Sequence, residues 1–225
     1  MAIAMALASE ESGRQRILHV AREMFIERGF TAVSMQQIAD AAGLRKASIY
    51  HHFPSKVDLF VAVTWMEVDE LHEQTEAAVA ASDELVPQLQ AIAGVWFASI
   101  RGDRGRLVRE FHEQVPMREQ LLFEERLERF ITTIAGAFER AAAAGDIRPI
   151  DPKTAAAIFF DIVSGWVYRA FFDPTAAPID PATAVQTMTD VLLFGIASPA
   201  FAQQHCPAGE HHPATAPPTP LPTVP

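Results

Sequence analysis

Two short helical stretches, three residues apart, constrain this chain more than anything else in it. Ser34 opens the first, Met35, Ile38, Ala39 and Ala42 form one apolar face, and Gly43 stops it. "SMQQ" sets Gln37 three residues after Ser34, the spacing of a capping box. Past Gly43, Leu44 and Arg45, the second stretch runs from Lys46 to His52 and turns Ile49 and Phe53 inward. Pro54 blocks its continuation, because the residue before a proline disfavours the α conformation. Helix, three-residue turn and helix make a helix-turn-helix, whose second helix enters the major groove of DNA. A longer helix precedes the pair, with Ile17, Ala21, Met24 and Phe25 on one side and Gly29 as its stop.

The second helix carries the chemistry that such a groove needs. With Ile49 and Phe53 inward, Arg45, Lys46, Ser48 and His51 or His52 point outward, as cations and short donors suited to phosphates and base edges. Tyr50 adds a phenol that bonds phosphate or stacks on sugar. Ser55 caps a fourth helix, and Lys56 sits in its first turn, where exposed N–H groups attract phosphate. Thr31 and Ser34 offer a further phosphate anchor, and Gln36 stands beside them.

Charge agrees with this placement. The 225 residues carry a formal charge of −10, yet residues 13–56 hold seven Lys/Arg against three acids, a net of +4. Residues 1–12 contribute −2 and the rest −12. A basic module on an acidic body points to a polyanion partner for the module alone.

Helices continue to the end of the folded chain, which makes the expected class all-α with about nine helices. The fourth is expected from Ser55 to about Ala81, the fifth from Ser82 or Asp83 to "RGDRGR", the sixth over about 104–115 and the seventh from Pro116 to Gly145. "DPKT" at Asp151 and "DPAT" at Asp180 each put Asp at an N-cap and Pro at the first helical position. The helix after Asp151 is apolar nearly all round, as buried helices are. Expected boundaries are a mobile arm over 1–12, the DNA-binding module over 13–56, a helical body over 57–202 and a disordered tail over 203–225. Seven prolines within 207–225 set the last.

"IADAAG", "KASIYHHF" and "PSK", with the long first helix, make residues 17–63 resemble the DNA-binding domain of the TetR family of bacterial transcriptional regulators. The resemblance implies that Lys46, Ser48, Tyr50, His51 and His52 belong to the recognition helix and that Lys56 is a phosphate-binding lysine. Ala47 stands where glycine is common, and Arg45 where the family often has Ser or Thr, so that helix loses its side-chain N-cap. The resemblance further implies a repressor that binds a pseudo-palindromic operator as a homodimer and is released by a small effector. The alternative is a regulator controlled by a protein partner, or by no small molecule.

For the body, the candidate walls of an apolar ligand pocket are Trp65, Trp96, Phe97, Ile100, Phe111, Phe123, Phe130, Phe159 and Trp166, with His112 as a polar group. The last two helices are the expected dimer surface, through Ile158, Ile162, Tyr168, Val185, Met188, Val191, Leu192 and Ile196. No cofactor or metal is called for. "HEQT" and "HEQVP" lack the second histidine of HExxH, and no GxSxG or Walker loop occurs, which argues against an enzyme. The single cysteine, Cys206, and the lack of a long apolar run fit a reducing, cytoplasmic setting without a membrane span.

Overall fold

A computed structural model of the chain describes residues 2–100, 104–172, 180–196 and 201. Nine helices and no strand occur among them: α1 (Ala2–Arg28), α2 (Met35–Ala41), α3 (Lys46–His52), α4 (Lys56–Ala80), α5 (Leu85–Ile100), α6 (Arg104–Gln114), α7 (Met117–Ala144), α8 (Pro152–Phe172) and α9 (Pro181–Ile196). One boundary differs clearly from expectation. Residues 2–12, read as an arm, continue α1, consistent with the strong helix propensity of Ala, Met, Leu and Glu. The tail expected over 203–225 lies outside the described residues.

Local signals form as their chemistry requires. The Ser34 hydroxyl accepts from the Gln37 N–H at 3.2 Å, and the Gln37 carbonyl oxygen accepts from the Ser34 N–H at 2.8 Å, which completes the capping box. At the other end of α2, Gly43 takes φ +66°, so the Leu44 N–H reaches Ala39 O at 2.9 Å and the Gly43 N–H reaches Asp40 O at 3.1 Å. This double bond pattern is a Schellman motif, and it folds the chain back towards α3. Asp151 and Asp180 accept from the N–H groups of Thr154 and Thr183 at 2.7 and 2.9 Å, capping α8 and α9.

The helices enclose two cores. The first gathers Ile17 and Phe25 of α1, Ile38 of α2, Ile49 of α3, Leu59 and Phe60 of α4, and Leu107 and Phe111 of α6. Phe60 meets the Phe25 ring edge-on at 5.1 Å, a favourable arrangement for aromatic quadrupoles. The second core joins α4, α5, α7, α8 and α9 around Trp96, Phe130, Phe138 and Phe159. Val68 of α4 and Leu127 of α7 pack against both. The boundary expected after residue 56 therefore falls at the first residue of α4, and the small N-terminal module closes its core with α4 and α6.

Ser34→Ala removes the reciprocal cap of α2. We expect a loss of about 1 kcal/mol in urea unfolding, with an unchanged slope.

Candidate nucleic-acid interface

The recognition helix α3 turns one side to the core and the other to solvent. Ile49 is fully buried, whereas Arg45, Lys46, Ala47, Tyr50 and His51 are exposed and Ser48 and His52 are half-buried. The Lys46 ammonium lies 6.0 Å from the centre of the Tyr50 ring, so the two present a cation and a phenol side by side. Arg45 occupies the N-cap in an extended conformation and makes no side-chain cap, as its sequence position implied. His52 packs towards α1, where a Cβ on Gly13 would come within 3.3 Å of its ring nitrogen. Thr31 and Ser34 lie exposed, and the Ser34 side chain is engaged in its cap. Gln36 bonds Asp40 across one turn at 2.7 Å.

Lys56 departs from the outward role expected of it. Its ammonium donates to the carbonyls of Phe30 at 2.8 Å and Val33 at 2.9 Å and lies 4.1 Å from the centre of the Phe30 ring. The turn between α1 and α2 leaves these carbonyls without helical partners, and a lysine is the donor within reach. Burial pushes the ammonium below the ordinary lysine range, and the charge of Glu110 pulls it back. Glu110 belongs to the same knot. Its carboxylate accepts from the Phe30 N–H at 2.6 Å, while Arg106 donates to Glu27 O at 3.3 Å. Gly29 is held there at φ +83°, and a Cβ on it would stand 2.6 Å from the Glu110 carboxylate. Helix α6 thus grips the turn that leads into the helix-turn-helix. Sequence periodicity gave no signal for this, because the partners stand 80 residues apart.

The expected pocket residues separate. Trp96, Phe130 and Phe159 are buried together in the second core, where the Trp96 ring meets Phe130 and Phe160 edge-on at 4.9 and 5.0 Å. Phe97 packs at the margin of that core, and Trp166 is half-buried. Phe111 belongs instead to the first core, because α6 leans on α1 and α4. His112 follows it on α6, half-buried, and Trp65 lies beneath Arg126 at 4.7 Å. The side chains of Ile100 and Phe123 fall outside the described residues. Sequence reasoning missed the polar groups of the second core. The Trp96 indole donates to Thr75 Oγ1 at 3.1 Å, and buried His72 pairs with Thr133 at 3.0 Å. Arg129 faces the other His72 nitrogen at 3.3 Å.

Three of the residues expected on the dimer surface are used internally. Val185, Met188 and Leu192 are buried in the second core, because α9 lays its apolar face on α5. Ile162 is half-buried beside them. Ile158 and Val191 do face outward, 49% and 67% exposed. The side chains of Tyr168 and Ile196 are outside the described residues.

Comparison with known proteins agrees with this geometry. Residues 17–63 match the family described as "Bacterial regulatory proteins, tetR family", and residues 96–194 match the "AefR-like transcriptional repressor, C-terminal domain". The chain belongs to the TetR family. It is a DNA-binding transcriptional regulator and not an enzyme. Over 90 residues it is 36% identical to the transcriptional activator FasR of Mycolicibacterium smegmatis, which covers 40% of this chain and only 41% of FasR. Over 196 residues it is 26% identical to the repressor KstR2 of Rhodococcus jostii, covering 85% of this chain and 95% of that one. A TetR-family regulator from Mesorhizobium loti shares the fold with a TM-score of 0.71, at 21% identity over 84% of this chain and 98% of that one. AibR, solved with isovaleryl coenzyme A and operator DNA, superposes with a TM-score of 0.56, at 25% identity over 80% of this chain and 97% of that one. No helix among the described residues is long and apolar enough to cross a membrane.

Lys56→Met keeps the aliphatic stem and removes the donor to Phe30 O and Val33 O. Chemical denaturation should show a loss of about 1–3 kcal/mol, since Val33 O loses its lysine donor and Phe30 O keeps only the long bond from the Val33 N–H at 3.4 Å. A change under a few tenths of that would mean water replaces the ammonium.

Proposed function

We propose that this regulator is a repressor which binds a pseudo-palindromic operator as a homodimer and is released by a small, largely apolar effector. The observation that carries the DNA half is the outward face of α3, where Lys46, Tyr50 and His51 stand exposed opposite buried Ile49. Arg45 extends that face at the N-terminal end of the helix. With Lys56 turned inward, Arg45 and Lys46 are the cations that α3 itself offers to phosphate and guanine edges. The KstR2 relative is named a repressor, and its likeness extends over most of both chains, whereas that of the activator FasR stops within half.

An apolar effector suits the second core, whose aromatic rings stand around a few buried polar groups, the usual composition of a ligand site. The AibR structure holds isovaleryl coenzyme A, and a KstR2 structure is described as that of a ketosteroid regulator. Acyl and steroid ligands are the first candidates here on that ground. A dimer is supported by Ile158 on α8 and Val191 on α9, large apolar side chains that stand exposed among the described residues.

DNA from upstream of the regulator's own gene, titrated by fluorescence anisotropy at several salt concentrations, tests the assignment. Lys46→Ala should weaken binding and lower the salt slope by about one. An unchanged slope removes Lys46 from the phosphate contacts. Acyl thioesters, fatty acids and steroids added to the complex should include one that releases DNA; failure of the whole panel favours control by a protein partner. Paired Ile158→Asp and Val191→Asp changes should give a folded monomer in sedimentation equilibrium, and persistence of the dimer would place its interface elsewhere.

A further inference from the structure

Between α1 and α4 runs an open cleft of about 560 Å³ that neither DNA binding nor the second core uses. Leu18 of α1 and Ala62, Trp65 and Met66 of α4 give it apolar walls. The Trp65 Nε1–H is buried and finds no acceptor. A buried donor without an acceptor is rare in folded proteins and asks for an explanation.

Most of the charges around the cleft are committed. Arg126 holds both carboxylate oxygens of Asp69, at 2.6 and 2.7 Å, and stacks on the Trp65 ring. Arg22 bridges Glu67 and Glu70. Two lining charges have no ionic partner among the described side chains. Arg14 lies over the Phe53 ring at 5.1 Å, and Glu73 is exposed on α4. One concave surface therefore brings together a spare cation, a spare carboxylate and an apolar wall, beside an indole whose buried N–H has no acceptor.

From that combination we infer that the α1–α4 cleft is a ligand site for a small amphipathic zwitterion. Its carboxylate oxygen accepts from Trp65 Nε1 and pairs with Arg14, its ammonium pairs with Glu73, and its alkyl segment rests on Leu18 and Met66. A neutral lipid would leave both charges unanswered, and a simple anion or cation would answer one. Occupancy reaches the recognition helix through Arg14. Phe53, beneath the guanidinium, is the C-cap of α3, and its N–H closes the last turn on Ile49 O at 2.9 Å. A carboxylate that draws Arg14 away from Phe53 uncovers that end of α3. The site is separate from the second core, so it stands whether or not an apolar effector binds there.

Isothermal titration of the full chain with ω-amino carboxylates from glycine to aminooctanoate, against hexanoate and hexylamine, tests the inference. One length of zwitterion should bind once per chain and about tenfold tighter than either singly charged compound. Trp65→Phe keeps a ring in place and removes only the N–H; it should weaken that zwitterion about tenfold. Glu73→Gln, at an exposed position that folding does not depend on, should abolish the preference over hexanoate. Operator affinity measured with and without the zwitterion should differ in the wild type and agree in Glu73→Gln. Absence of saturable binding by every length, or equal affinity in the wild type and Glu73→Gln, overturns the site. Should Trp65→Phe unfold, as its thermal transition would show, the Glu73→Gln result decides alone.

Discussion

Everything the DNA-binding end does depends on how the turn between α1 and α2 is held. That turn's own backbone bond, from the Val33 N–H to Phe30 O, is long at 3.4 Å. Lys56 supplies donors to two of its carbonyls, and Glu110 supplies the acceptor for one of its N–H groups. Both charged groups come from helices that also belong to the body, so the body's packing holds the turn. Burial of either alone would be unfavourable; each is hydrogen-bonded to the turn, and the charge of Glu110 partly offsets the burial of Lys56. The missing side chain of Gly29 makes room for the carboxylate at that point.

The local half of this architecture could be read directly. Ser34 with Gln37, Gly43, Pro54, Ser55, Gly145 and the two Asp-Pro pairs each act within a few residues, and the backbone obeys them. Apolar spacing also identified the covered side of α1, α2 and α3. It could not say by what. Phe111 has the same periodic signature as Trp96, yet one joins α1 and the other α8, because that choice depends on crossing angles and distant partners. Val185, Met188 and Leu192 show the same limit: an apolar face on α9 reads alike whether it covers α5 or a second copy of the chain. For the interface, the outward set on α3 was legible from Ile49 and Phe53 alone. Lys56 was not, since a lysine's long stem lets its charge lie on either side of the backbone that carries it.

The acidity of the body acquires a more specific meaning as well. Much of it lies along α4, where Glu67, Asp69 and Glu70 meet arginines from α1 and α7. These pairs tie the body's helices together and leave the cations of α3 outside the network. Repulsion of DNA from the acidic faces and attraction to α3 then act in the same direction on a docking duplex.

Helix α4 contributes to both cores without a break over 25 residues, a length of about 37 Å at the usual rise. A rod of that length, pivoting about its middle by about 3°, displaces each end by about 1 Å, in opposite senses. Lys56 rides on one end, and the second core packs against the other. The same rod that gives the molecule its stiffness therefore works as a lever, and its mechanical advantage is set by where along its length the other helices clamp it.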